Sequence, residues 1–365
     1  MSFPGFLLDL YAGISVLAFA ALMAADAIGL FPRKEAAGRR GPYSPKTLVI
    51  VPCRGADHTL EQNLDSLRRQ DYRNYRVIAV IDDSDDAALN VIKRLRIGYV
   101  ISDSGCRNCS GKVRAISTAL ERFRGYDAYA IADSDILVER GWLAALVAPL
   151  QDRRIGLSTM YPYFRPVRGF WSKVKMVWGF VGDSLLERES SRFGWGGSLA
   201  FRADLMDSKA MDFFGNSRYS VSDDICLTKI CKSKTLGIAY VPVPKPIVNC
   251  IEDFSSFSEW ANRQTALTLL GYRRNLYVGL VYYTMEALVI VSGVLLSIFV
   301  SPLFLVFFMH YMRGAIINCR RAGAHYPEVA LISFMLPFVY DINLVTASRM
   351  RHITWRGRRY MLPSA

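Results

Sequence analysis

Histidine is scarce in this chain of 365 residues: there are four, His58, His310, His325 and His352. Their separations match no metal-ligand spacing, which argues against a histidine-built zinc or iron centre and leaves them as ordinary surface or interface residues. Cysteine occurs seven times, an odd number with a single CxxC, Cys106 and Cys109 in "GCRNCSGK". No second CxxC completes a zinc site and no thioredoxin-like context surrounds this one. The pair therefore reads as two loop thiols, with adventitious metal or a local disulfide as alternatives. HExxH, Walker and GxSxG sequences are absent, which removes the usual metalloprotease, P-loop and serine-hydrolase signatures. No nucleic-acid-binding module is visible although the formal charge is +13, so the cations need another explanation. Lys and Arg are also missing ahead of the first apolar run, which counts against a cleaved signal peptide.

What the chain has in excess is apolar sequence, 52% of its residues. It concentrates in four runs, Phe6 to Phe31, Leu276 to Val300, Pro302 to Asn318 and Val329 to Ala347, whose lengths approach the ~20 residues that cross a bilayer. The cations flank these runs, as "RKEAAGRR", Arg273 with Arg274, "CRRAGAH" and "RMRHITWRGRR". That is the positive-inside pattern combined with attraction to anionic headgroups. The expectation is an integral membrane protein without a nucleic-acid partner. Residues 1–31 form a transmembrane anchor with its N-terminus outside, 32–46 a basic linker, and 47–265 a cytoplasmic catalytic domain. Residues 266–365 form a membrane region with two or three apolar spans and a basic tail. Asp9 and Asp26 should lie near the interfaces or face other helices. The last run is the poorest span, because Pro337 and Asp341 interrupt it and a full crossing would put the basic tail on the wrong face. Residues 329–347 are thus expected to form a bent, re-entrant or interfacial segment that returns the tail, including Ser364, to the cytoplasmic surface.

Between the membrane segments the pattern changes to short β-branched runs alternating with helical ones. "KTLVIVPCRG", "YRVIAVIDDSDD", "GYVISDS" and "YDAYAIADSDILV" read as strands; "TLEQNLDSLRRQ", "AALNVIKRLRI" and "GKVRAISTALERF" read as helices. The alternation predicts an α/β fold with a mostly parallel sheet and helices on both faces, where ligands bind beyond the carboxyl ends of the strands. Asp82 with Asp83, and Asp133 with Asp135, fall at those ends. Acids there also serve as helix caps and turn residues. Two clusters on one sheet plus a third pair in "SVSDDICLTKI" favour a ligand, since paired carboxylates suit a hard divalent cation with diphosphate oxygens.

Taken in order, "VIVPCRG", "LEQNLDSLRRQDYRNYRVIAVIDDSDD", "SGKVRAISTAL", "YAIADSDILV", "WGGSLAFRADLM", "SDDICLTKI" and "WANRQ" resemble the membrane-bound family 2 and family 21 glycosyltransferases, the latter typified by ceramide glucosyltransferase. The resemblance implies a GT-A-type, Rossmann-like fold. It makes Pro52, Asp82, Asp83, Lys112, Asp133, Gly196, Gly197 and Gln264 donor-binding residues, with Asp82 and Asp83 on the base and ribose. It makes Asp135 the ligand of a Mg2+ or Mn2+ ion, and Asp224, with Asp223 beside it, the catalytic base. The family's (Q/R)xxRW is here "WANRQ": Arg263 aligns and can neutralise the leaving diphosphate, Gln264 replaces the tryptophan, and Trp260 takes the leading position. The tail "ITWRGRRYML" resembles a C-terminal segment of family 21-like enzymes.

The implied reaction is inverting transfer of a sugar from a nucleotide sugar, a UDP-sugar first, to a hydroxyl of a membrane lipid, metal-dependent and leading to a glycolipid. One rival is transfer to polyprenyl phosphate, whose anionic acceptor needs less base assistance. A rival of another class is a catalytically silent sugar-nucleotide-binding membrane protein, against which the presence of every acid argues.

Overall fold

The computed structural model describes residues 3–29, 43–106, 109–323 and 326–362. Most of the expected basic linker, His325 and Ser364 lie outside these described residues. The chain begins with α1 (Phe3–Gly29), β1 (Thr47–Cys53), α2 (Leu60–Arg68), β2 (Tyr75–Ile81), α3 (Ala88–Arg94), β3 (Gly98–Ile101) and α4 (Gly111–Arg122). It continues through β4 (Ala128–Ala132), β5 (Ile136–Leu137), α5 (Trp142–Val147), β6 (Ile155–Thr159), β7 (Tyr163–Arg168) and α6 (Phe170–Leu186). Then come β8 (Ser198–Arg202), α7 (Ser208–Asn216), α8 (Asp223–Ser233), β9 (Gly237–Tyr240), β10 (Ile247–Ile251) and α9 (Phe254–Gly271). The remainder is α10 (Arg274–Phe299), α11 (Phe308–Ala322), α12 (Tyr326–Arg349), β11 (His352–Trp355) and β12 (Arg358–Met361).

These elements form two units interleaved along the chain. One takes residues 38–168, 181–251 and 351–365, the other residues 1–37, 169–180 and 252–350. By packing, residues 169–180 and 252–265 group with the helices, and the tail from residue 351 groups with the sheet.

The first unit is built on a seven-stranded sheet of order β3-β2-β1-β4-β8-β6-β9. β1, β2, β3 and β4 are mutually parallel, β8 runs antiparallel to both β4 and β6, and β9 is parallel to β6. The sheet is thus mostly parallel, and continuous apolar runs such as Leu48–Val51 are fully buried, as strands covered on both faces must be. Leu60, Leu64 and Leu67 of α2 and Val113, Ile116 and Ala119 of α4 bury completely at helical spacing. Each large side chain so buried contributes ~1.5–3 kcal/mol. Pro52 sits near the end of β1, beyond the last β4 partner Ile50↔Ile131, so its missing N–H costs no ladder bond on that side. A three-stranded sheet, β5-β10-β7, and the hairpin β11-β12 complete the unit.

Among the described residues, the second unit carries four helices long and apolar enough to cross a membrane: Gly5–Asp26, Arg274–Phe299, Pro302–Ala322 and Tyr326–Arg349. α1 packs on α10 through Ala18, Leu22, Val289 and Leu296. Ser292 Oγ donates to Tyr11 Oη at 2.7 Å and lies 2.8 Å from Ser15 Oγ, which ties the two helices inside their apolar contact. Asp26 faces α11, as expected of an acid in an apolar helix, and pairs with Arg313 and His310. His310 is not a surface residue: it is buried, with its other ring nitrogen 2.8 Å from Glu286. Residues 329–347, expected to form a bent, re-entrant or interfacial segment, lie within a single helix, Tyr326–Arg349, that contains Pro337. Thr284 bonds the Asp341 carboxylate at 3.1 Å, giving that acid a partner on α10.

Candidate active site

Strands β1 and β4 leave the sheet side by side, and the order β3-β2-β1-β4 reverses between them. A crevice beyond the strand ends opens at such a switch point. The acids expected there are in place: Asp82 follows the last residue of β2, and Asp133 follows the last residue of β4.

Lys112 joins the separate motifs. It lies at the second position of α4, after Ser110, whose Oγ caps the helix by accepting from Val113 N at 3.2 Å. A cation in the first turn opposes the helix dipole. Here it is buried against carboxylates, with Nζ 2.7 Å from Asp133 Oδ1, 3.3 Å from Asp223 Oδ2 and 3.0 Å from Gly196 O. It is therefore not the exposed lysine that a first-turn position on a helix ordinarily gives. Burial lowers the affinity of Lys112 for its proton, but Asp133 and Asp223 outweigh that effect and raise its pKa, so the residue is a fixed positive charge.

Asp223 and Asp224 open α8, where negative charge suits the helix N-terminus. Asp223 is buried, and desolvation pushes its carboxyl up to about 7 against the pull of Lys112, with Asp224 and Asp133 adding to the rise. Asp224 is less buried, bonded by Ser222 Oγ and by Ile225 N at 2.8 Å. Gly196 has no room for a side chain: a Cβ would lie 2.5 Å from Asp223 Oδ2 and 2.9 Å from Lys112 Nζ. Gly197 O accepts from Asp133 N at 3.0 Å, which ties the glycine pair to the end of β4.

Asp82 takes Arg54 and Arg358, each at 3.2 Å from Oδ2, while Asp83 is exposed and bends into its own turn by accepting from Asp85 N at 3.0 Å. The Oδ2 atoms of Asp82 and Asp223 are buried without a directional hydrogen bond and are met by cations, Arg54 with Arg358 and Lys112 respectively. Asp133 and Asp135 flank Ser134 just after β4, and both are half-buried. This oxygen-only donor pair fits Mg2+ or Mn2+, which take one or two carboxylates and fill the remaining positions with phosphate oxygens and water. Arg263 and Gln264 belong to α9 of the helical unit. There Trp260, the departure from the family pattern, packs 4.9 Å from the Trp178 ring beneath Lys175.

Sequence reasoning missed several residues at these strand ends. Asp86 accepts from Gly55 N at 2.9 Å and pins the turn after β1, where Gly55 has φ +72°. Trp355, Arg356, Arg358 and Tyr360 come from the β11-β12 hairpin, and Tyr360 Oη accepts from Gly111 N at 3.2 Å. Cys106 and Cys109 have Cα atoms 5.9 Å apart, a separation that permits the local disulfide kept as an alternative to two loop thiols.

The mostly parallel sheet, with paired acids at its switch point, is of the GT-A type and is accompanied by apolar helices that are candidate membrane spans. The chain belongs to Glycosyl transferase family 21, whose family model matches residues 14–364. Among solved structures it is similar to mannosyltransferase PcManGT from Pyrobaculum calidifontis in complex with GDP-Man and Mn2+. That match has 17% identity, 94% of this chain and 95% of that chain covered, and a TM-score of 0.53. Another match is glucosyl-3-phosphoglycerate synthase from Mycobacterium tuberculosis in complex with Mn2+, UDP and glucosyl-3-phosphoglycerate. It has 17% identity, 62% and 80% coverage, and a TM-score of 0.43.

Proposed function

We propose that the chain transfers a sugar, with inversion, from a nucleoside diphosphate donor to a hydroxyl of a membrane lipid. The observation that carries this reading is Lys112, which binds Asp133, Asp223 and Gly196 into one charged constellation at the carboxyl ends of the sheet. Asp82 and Asp83, with Pro52 beside them, receive the base and ribose; Gly196 and Gly197 let the donor sugar approach the backbone. Asp224 takes the acceptor hydroxyl proton as that oxygen attacks the anomeric carbon, and the electron pair of the breaking bond leaves on the diphosphate. Lys112 and Arg263 supply positive charge for the leaving group, with Gln264 next in sequence. Asp135, with Asp133, would hold Mg2+ or Mn2+, which neutralises diphosphate charge when bound. The Pyrobaculum calidifontis enzyme, described with GDP-Man and Mn2+, supports a donor and metal of this class. The four apolar helices support a bilayer setting, which brings a soluble donor and a lipid acceptor to one surface; the catalytic unit then faces the cytoplasm.

The test is product analysis by mass spectrometry after incubating the purified chain with UDP- and GDP-sugars, Mn2+ and total membrane lipid. A glycosylated lipid of inverted anomeric configuration is expected from wild type. Asp224→Asn should lower kcat by at least ~10² with donor affinity nearly unchanged. Donor turnover without a lipid product would reject the acceptor, and a normal kcat in Asp224→Asn would reject the base.

A further inference from the structure

The last described residues fold as a hairpin on the sheet unit, against the strand-end site and far in sequence from the motifs that built it. Its two-residue turn is Arg356–Gly357, with φ of +48° and +73°. Turns with positive φ at both central residues favour Asn-Gly, so an arginine at the first position accepts backbone strain to place a guanidinium there. That guanidinium forms a fork on Asp57, Nη1 to Oδ1 at 3.3 Å and Nη2 to Oδ2 at 2.9 Å. Asp57 lies in the loop that follows β1. Asp133 and Asp135, which follow β4, add to the pull of Asp57 on the charge of Arg356. The fork fixes Arg356 on the loop after β1. Its neighbours on the hairpin fix the placement. Arg358 reaches Asp82, Tyr360 takes Gly111 N, and the Trp355 ring lies 6.0 Å from Lys112 Nζ.

We propose that the C-terminal hairpin is part of the donor site, and that Arg356 exchanges its fork on Asp57 for the diphosphate of the nucleotide sugar. This rests on the nucleoside diphosphate donor argued above. A guanidinium fork matches two phosphate oxygens as well as it matches a carboxylate, so the exchange needs no new geometry from the side chain. Asp57 acts as the resting partner, holding the arginine at the crevice until the diphosphate arrives. This assigns the basic tail a role in holding the donor.

The experiment is equilibrium titration of the detergent-purified full chain, in Mn2+, with UDP, uridine, GDP and guanosine. Arg356→Ala should weaken binding of the preferred nucleoside diphosphate about 10- to 100-fold and leave its nucleoside within about twofold, because one charge-assisted phosphate contact is lost. Arg356→Lys should recover part of the loss. Asp57→Asn should bind the diphosphate as tightly as wild type or more tightly, since the competing carboxylate is gone. A hairpin that merely supports the fold predicts the opposite: Asp57→Asn weakened, and nucleoside and diphosphate lost by the same factor from Arg356→Ala. Either result, or unchanged diphosphate affinity in Arg356→Ala, overturns the proposal. Wild type that binds neither diphosphate above its nucleoside overturns the donor reading itself and this proposal with it.

Discussion

Lys112→Met tests the centre of the site. The substitution keeps length and apolar volume but removes the charge that Asp133 and Asp223 share. Removing one partner of a buried ion pair costs about 3–5 kcal/mol because the other charge is stranded. Asp133 keeps 28% of its side-chain surface, so water relieves it in part. Asp223 keeps only 5%, but its carboxyl is already raised to about 7, so at neutral pH it answers the loss of Lys112 by taking up a proton, which limits the cost there. The lower end of the range, about 3 kcal/mol, is therefore the expected loss. At about 2–4 °C per kcal/mol for a domain of this size, the apparent Tm of the sheet unit should fall by about 6–12 °C. The assay is thermal unfolding in detergent, followed by tryptophan fluorescence, with the double variant Lys112→Met/Asp223→Asn alongside. Above pH 7, where an unpaired Asp223 must be held protonated or charged at a cost, Asp223→Asn removes that cost, so the double variant should unfold above the single one, with a coupling of at least about 1 kcal/mol. A Tm unchanged in Lys112→Met, or strict additivity across the cycle, would refute the assignment of Lys112 as the shared counter-ion.

Gly196→Ala should lose both donor binding and turnover, because its Cβ would press on Asp223 and Lys112 at under 3.0 Å; a fully active variant would show that the loop moves freely. Asp135→Ala is expected to abolish stimulation by Mg2+ or Mn2+ while leaving far-ultraviolet circular dichroism unchanged, and full metal-stimulated activity would place the ion elsewhere. The Asp223 pKa, raised to about 7, favours the protonated fold, so its contribution to stability is complete below its unfolded value near 3.8 and is lost as pH rises through 7. Tm measured from pH 4 to 8 should carry this decline in wild type and show less of it in Asp223→Asn. In the helical unit, Asp26→Ala removes the carboxylate of Arg313 and one of the two carboxylates on His310, and should lower resistance of the membrane helices to proteolysis; wild-type resistance would mean that Asp26 contributes nothing.

Much of the sheet unit was legible because strands buried on both faces leave a strong mark. "LVIV", "VIAVI" and "AYAIA" are uninterrupted apolar runs, and the acids that end the second and third of them, Asp82 and Asp133, stand at the strand ends. The helical periodicity of Leu60, Leu64 and Leu67 was equally plain, and all three are buried. Lys112 was ambiguous for a physical reason: a lysine in the first turn of a helix reads as solvent-exposed, and only carboxylates brought in from β4 and α8 make its burial tolerable. His310 was misjudged on the same grounds, because its partners Asp26 and Glu286 lie 284 and 24 residues away. Pro337 suggested a break, yet α12 continues through it.

The sequence by itself determined the elements, the apolar helices and the strand-end position of the acids, since each follows from local periodicity and from residues a few positions apart. Only the tertiary structure decided which charges meet. The antiparallel insertion of β8 brings Gly196 and Gly197 to the end of β4, the start of α8 brings Asp223 to Lys112, and the hairpin beyond the last helix brings Arg356 and Arg358 to Asp57 and Asp82. Those pairings carry no local signature, because electrostatic partners are selected by distance in space and by exclusion of water, and both are properties of the folded chain alone.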